Sequence, residues 1–191
     1  MFKGMTLILA CLLGITLALP CNADEDVDKT FYPSGQLQSE MPYKNFKPDG
    51  VYKYYYQNGK LKEETTYEGG KKEGIDRWYY QNGSFYHERY YENDLLNGPY
   101  KIYYDTGQLK QVEFWINGKQ EGEALVYSRN GQIRKRIIYK NGERQMLYYY
   151  DDTGKMKYET NYKTGRTKKC EKKSTILDSF HKKKSEEQKD L

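Results

Sequence analysis

The chain has 191 residues, and 32 Lys and Arg against 27 Asp and Glu leave a formal net charge of only +5. That balance argues against a protein organised around a polyanion such as nucleic acid, whose affinity is built on a surplus of cations. Charged residues at 31% against 37% hydrophobic would sit near disorder, but 22 Tyr supply rings that bury large area while their hydroxyls stay wet.

In chain order, residues 1–23 read as a signal peptide. Lys3 gives the positive start, residues 7–19 the apolar centre, and Pro20 breaks the run before Cys21, Asn22 and Ala23. About 13 apolar residues are too few to span a bilayer comfortably. Cleavage after Ala23 and export to the periplasm or the medium are expected, with a lipid anchor at Cys21 or an uncleaved anchor as the alternatives. Residues 24–30 are acidic and read as a flexible N-terminal segment.

From residue 31 the sequence repeats. Gly35, Gly59, Gly83, Gly107 and Gly131 are each 24 residues apart, and Gly154 follows 23 later. Four residues before each glycine stands Phe31, Tyr55, Tyr79, Tyr103, Tyr127 or Tyr150. Two after it stands Leu37, Leu61, Phe85, Leu109, Ile133 or Met156, and eight after it Tyr43, Tyr67, Tyr91, Trp115, Tyr139 or Tyr162. Two further glycine columns contain Gly70 and Gly118, and Gly50, Gly74, Gly98 and Gly122. A fixed period of this size marks a repeat architecture.

Each unit is two runs rich in Tyr, Ile, Val and Thr around a turn such as QNG or DTG, which reads as a β-hairpin. The expected fold is all-β: an elongated single antiparallel sheet of about six hairpins over residues 31–166. Thr106 and Thr153 precede two of the turn glycines, and β-branched Thr tolerates positive φ poorly. A three-residue loop needs positive φ at the glycine alone and is the turn predicted. With that loop, Tyr55, Leu61 and Tyr67 share one face, predicted as the core stripe. The opposite face then carries Tyr32, Tyr54, Tyr56, Trp78, Tyr80 and Tyr104 among charges such as Lys62 and Glu64. Those six aromatics are the candidate partner-binding residues, since rigid rings give contact area at low entropic cost. Pro33, Pro42 and Pro48 mark the first hairpin as a capping unit. Residues 167–191 form a charged tail in which Ser174 could cap a short helix through Ile176, Leu177 and Phe180.

The unit YY-x-NG-x-L-x-x-E-x-x-Y-x-x-G-x-x-x-G resembles the MORN repeat variant of bacterial proteins, many of them labelled antitoxin components. The resemblance covers most of the chain after the leader and implies an elongated sheet of successive hairpins serving as a binding scaffold, with no fixed catalytic residues.

The residues themselves give catalysis little support. His87 occupies a column filled elsewhere by Ser39, Glu63, Gln111, Lys135 and Tyr158, and His181 lies in the tail. Cys170 has no neighbouring His to activate it, though it could bridge two chains. The Glu column recurs from unit to unit, as a charge-paired face does and a local catalytic pair does not. No metal or cofactor motif is present, so no cofactor is expected. The expected function is an exported, non-enzymatic scaffold for a protein partner, in its most specific form a toxin. Alternatives are a self-associating envelope protein, a homo-oligomer joined through sheet edges, and a carbohydrate binder. Peripheral membrane attraction through Lys182, Lys183 and Lys184 is weak beside Glu186 and Glu187.

Overall fold

The computed structural model describes residues 25–170, so the signal peptide expected over residues 1–23 and the helix expected in the tail both lie outside the described residues. Within them the protein is one open antiparallel sheet. Its strands are β1 (Glu25–Phe31), β2 (Leu37–Lys44), β3 (Lys47–Pro48), β4 (Gly50–Tyr55), β5 (Leu61–Glu68), β6 (Lys71–Tyr79), β7 (Phe85–Glu92) and β8 (Leu95–Leu96). They continue as β9 (Gly98–Tyr103), β10 (Leu109–Ile116), β11 (Lys119–Gln120), β12 (Gly122–Tyr127), β13 (Ile133–Lys140), β14 (Glu143–Tyr150), β15 (Met156–Asn161) and β16 (Arg166–Lys169). Thirteen follow one another across the sheet in chain order, while the two-residue strands β3, β8 and β11 close the turns onto β2, β7 and β10.

Two boundaries differ from expectation. Of residues 24–30, expected to be a flexible segment, 25–30 form β1 together with Phe31, because Lys29 meets Glu40 at 3.0 Å and the Thr30 and Ser39 hydroxyls bond at 2.6 Å. At the other end the ladder gains β16, fixed by the Thr160 and Thr167 hydroxyls at 3.0 Å and by Cys170 N donating to Lys157 O at 2.7 Å.

The repeat turns have the three-residue geometry expected. Gly59 N donates to Tyr56 O at 2.9 Å, Tyr56 N to Lys60 O at 2.8 Å, and Gly59 adopts φ +79°. On the other margin the first five connections are two-residue turns with both residues at positive φ, as in Asn93 (49°) and Asp94 (68°), while the last, between Asn161 and Arg166, has positive φ at Gly165 alone. One such turn puts Phe46 at φ +61° with its ring fully exposed.

The predicted core stripe needs correction. Tyr55 pairs with Leu61, but Tyr54 pairs with Glu63, so Lys62 is an extra residue and the strand bulges. An equivalent shift follows the turn of every unit, as at Trp78/Tyr79, Val126/Tyr127 and Tyr149/Tyr150. One added residue reverses all later side chains. Tyr55 and Leu61 therefore share a face, as predicted, while Tyr67 stands on the opposite face with Tyr54 and Thr65. Tyr67, Tyr91, Trp115 and Tyr139 there lie directly across from Gly50, Gly74, Gly98 and Gly122. A glycine leaves room for the ring beside it, which explains why the aromatic and glycine columns occur together.

The bulge gives the sheet two unlike faces. Among the described residues, all seven buried ones, Ser39, Thr65, Asp76, His87, Glu113, Ala124 and Tyr139, stand on one of them, the packed face. Of the twelve exposed large hydrophobic residues, Val27, Phe31, Val51, Phe85, Tyr90, Leu95, Phe114, Ile116 and Ile133 stand on the other, the open face.

Candidate interaction surface

The aromatics singled out by sequence belong to the packed face. Tyr32, Tyr56, Tyr80 and Tyr104 each donate a hydroxyl hydrogen bond to a backbone carbonyl of the next unit: Tyr55 at 2.6 Å, Tyr79 at 2.7 Å, Tyr103 at 3.0 Å and Tyr127 at 2.8 Å. This column staples consecutive hairpins. Tyr54, Tyr56 and Trp78 surround the ammonium of Lys62, 5.1, 5.5 and 5.9 Å from the three ring centres. Structure thus brings Tyr54, Tyr56 and Trp78 together, while Tyr32, Tyr80 and Tyr104 stay strung along the turn margin. All six are half-buried.

The middle of this face carries a polar row that no repeat column announces. Thr65, Asp76 and Arg89 lie side by side across β5, β6 and β7. Asp76, fully buried, accepts from Thr65 Oγ1 at 2.6 Å and Arg89 Nε at 2.8 Å. His87 Nε2 lies 3.7 Å from Asp76 Oδ2, within ion-pair range but beyond hydrogen-bond length. Burial alone would push the Asp76 carboxyl up; His87, Thr65 and Arg89 outweigh it and hold the group down at about 2. The shorter Thr65 and Arg89 contacts are the stronger part of that stabilisation. Glu63 is raised instead, by its own burial and by the nearby Asp76 charge. Further along, buried Glu113 accepts from Gln120 at 2.8 Å, Gln111 at 2.9 Å and Trp115 at 3.0 Å. The stacked rings of Trp78 and His87, 5.5 Å apart, hold the two buried side-chain nitrogens without hydrogen-bond partners among the described residues, Nε1 and Nε2. This face is a polar core with its charges largely paired internally.

The open face has three parallel rows. Its centre alternates in sign over seven strands: Lys29, Glu40, Lys53, Glu64, Arg77, Glu88 and Lys101 are successive cross-strand neighbours. Arg77 reaches Glu64 at 3.2 Å and Glu88 at 2.9 Å, and Lys101 meets Glu88 at 3.6 Å. Tyr79 donates to Glu64 at 2.7 Å, and burial together with that carboxylate pushes the phenol well above its ordinary range. On the turn side runs the aromatic row, in which Phe85 lies between Tyr79, stacked at 5.2 Å, and Tyr103, tilted at 5.9 Å. On the other side Val27, Val51, Tyr90 and Phe114 project 42 to 50% exposed. The charge row gives way at β10 and β12, where Val112 and Leu125 are neighbours. There Pro99, Phe114, Val112, Leu125 and Tyr127 make the apolar strip continuous across the face.

A profile described as the MORN repeat variant matches residues 29–45, 48–68, 96–117, 120–141 and 147–164. The chain belongs to the MORN repeat variant family. The MORN matches omit residues 69–95, the hairpin β6–β7 that carries Asp76, Trp78, His87 and Arg89. No curated protein matches the chain. Among solved structures it is similar to one titled as the crystal structure of TarM, at 11% identity over 51% of this chain and 19% of that one, with a TM-score of 0.37. It is also similar to one of accessory secretory protein 1, 2 and 3 in Streptococcus pneumoniae, at 14% identity over 66% of this chain and 19% of that one, with a TM-score of 0.24. The chain thus spans 19% of the length of each.

Proposed function

We propose that this MORN repeat protein is an exported, non-catalytic scaffold that binds another protein through the open face. One observation carries the reading: among the described residues, nine of twelve exposed large hydrophobic side chains stand on that face, while every buried residue stands on the other. Exposed apolar area gathered on one side of a sheet favours a contact surface, and aromatic anchors beside a charged row are the composition such surfaces use. The strip from Phe114 to Tyr127 is its centre, because there a partner need not desolvate an ion pair. The immunity form, with a toxin as partner, rests on family resemblance alone.

The test is capture from the extracellular or periplasmic fraction by the wild-type chain and by a Val51→Ser, Phe85→Ser, Phe114→Ser variant. A stoichiometric partner bound by the first and lost by the folded second is expected. Equal capture by both would place the contact elsewhere.

A further inference from the structure

The two edges of the sheet are open and unlike. Among the described residues β1 pairs only with β2, and β16 only with β15, so within them each presents one row of unpaired backbone groups. β1 has the sequence EDVDKTF, and Asp26 and Asp28 are exposed; β16 has the sequence RTKK, and all four residues are exposed. Neither Asp26 nor Asp28 has a cation partner, and none of Arg166, Lys168 and Lys169 a carboxylate, among the described residues.

Charge on an edge strand is a common guard against unwanted pairing. That guard requires each edge to repel copies of itself, and two edges of the same sign would then repel every pairing. Here the signs are opposite. Two β16 edges would set cation against cation and two β1 edges acid against acid, whereas β16 against β1 sets cation against acid.

We propose that copies of this chain associate head to tail, the basic β16 edge of one on the acidic β1 edge of the next. Thirteen strands alternate in direction, so β1 and β16 run the same way, and a copy that continues the ladder with its faces aligned sets them side by side in parallel. In one register Lys169 lies beside Asp28, Lys168 beside Val27 and Thr167 beside Asp26. Each of those pairs matches in face: Asp26, Asp28, Thr167 and Lys169 stand on the packed face, Val27 and Lys168 on the open one. No like charges meet. Because the two edges differ, the contact is heterologous, and unless its rotation closes a ring it propagates as a filament. The open face is not covered by this contact, so the inference is independent of the proposed function.

Sedimentation velocity on protein purified as produced from the full-length gene tests it. At about 0.01 M salt a concentration-dependent series of oligomers is expected, collapsing to monomer near 1 M, as the Debye length falls from about 30 Å to about 3 Å. The β1 reversal Asp26→Lys, Asp28→Lys and the β16 reversal Arg166→Glu, Lys169→Glu are each expected to give monomer at low salt. Combining them restores the parent's net charge and should restore the oligomers. For a reversal that does not fold, as judged by circular dichroism, the neutral Asp28→Asn and Lys169→Gln substitutions replace it and are each expected to weaken association at least several-fold. Monomer at every concentration in low salt, association indifferent to either edge change, or no recovery on combination overturns the inference.

Discussion

At the scale of single residues, Asp76 is the most constrained group in the described chain. It is fully buried, and its bonds to Thr65 and Arg89 replace lost hydration. Asp76→Ala leaves the guanidinium of Arg89 without its carboxylate, and a loss of roughly 3 to 5 kcal/mol is expected by urea denaturation. The pH dependence has a definite sign. With the folded carboxyl held at about 2, below its unfolded value, the Asp76 contribution is present above about pH 4 and is lost as the pH falls through 2. Glu63 acts oppositely: its folded pKa is raised, so its contribution is present in acid and lost as the pH rises through that value. Stability measured between pH 2 and 8 should show both slopes in the wild type, with Asp76→Asn reducing the acid slope, to which Glu40, held down by Lys29, also contributes, and Glu63→Gln reducing the other. Phe46 offers a residue-scale gain. Its φ of +61° is strained for a side chain with no packing to offset it, so Phe46→Gly should stabilise by about 1 kcal/mol.

At the scale of the hairpin, each of the first four units is tied to the next by a tyrosine hydroxyl on a carbonyl. Tyr56→Phe removes the bond to Tyr79 O and keeps the ring, so a loss of about 1 kcal/mol is expected, followed by thermal denaturation. Gly98→Ala should cost more, since a Cβ there would stand 3.0 Å from Tyr90 Cβ at a φ of +135°. Most of this was legible in the sequence: the 24-residue period, the hairpins and the three-residue turn all follow from glycine spacing and from Thr106 and Thr153. The bulge at Lys62 was not. It is a register shift in the pairing of Tyr54 with Glu63 and needs no special residue type, yet it moves Tyr67 and its column to the other face. The polar row of Thr65, Asp76 and Arg89 was hidden for a different reason. Thr65 comes from one unit and Asp76 and Arg89 from the two strands of the next, and the three differ in type, so no column of the repeat displays them. The six candidate aromatics were legible as a group, but the hydroxyl bonds of Tyr32, Tyr56, Tyr80 and Tyr104 depend on the neighbouring unit's backbone.

At the scale of the whole molecule, a single-layered sheet has to manage two faces without a second layer to cover either. On the packed face, polar side chains, rings and lysine stems cover one another. The open face keeps seven alternating charges at its centre, which favour one strand order and one register, and leaves apolar residues on both flanks. Exposed ion pairs of this kind contribute little singly, so Arg77→Ala, which breaks two of them, should cost about 1 kcal/mol and less in high salt, as a guanidinium chloride series cannot show but a urea series can. The central claim is that one face holds the molecule together while the other meets its partner. The most direct test measures melting temperature and partner capture together for two triple variants, Tyr56→Phe, Tyr80→Phe, Tyr104→Phe and Val51→Ser, Phe85→Ser, Phe114→Ser. The division predicts that the tyrosine variant melts several degrees lower and still captures the partner, while the open-face variant melts near the wild type and captures none. Capture lost by the folded tyrosine variant and kept by the open-face variant would contradict it.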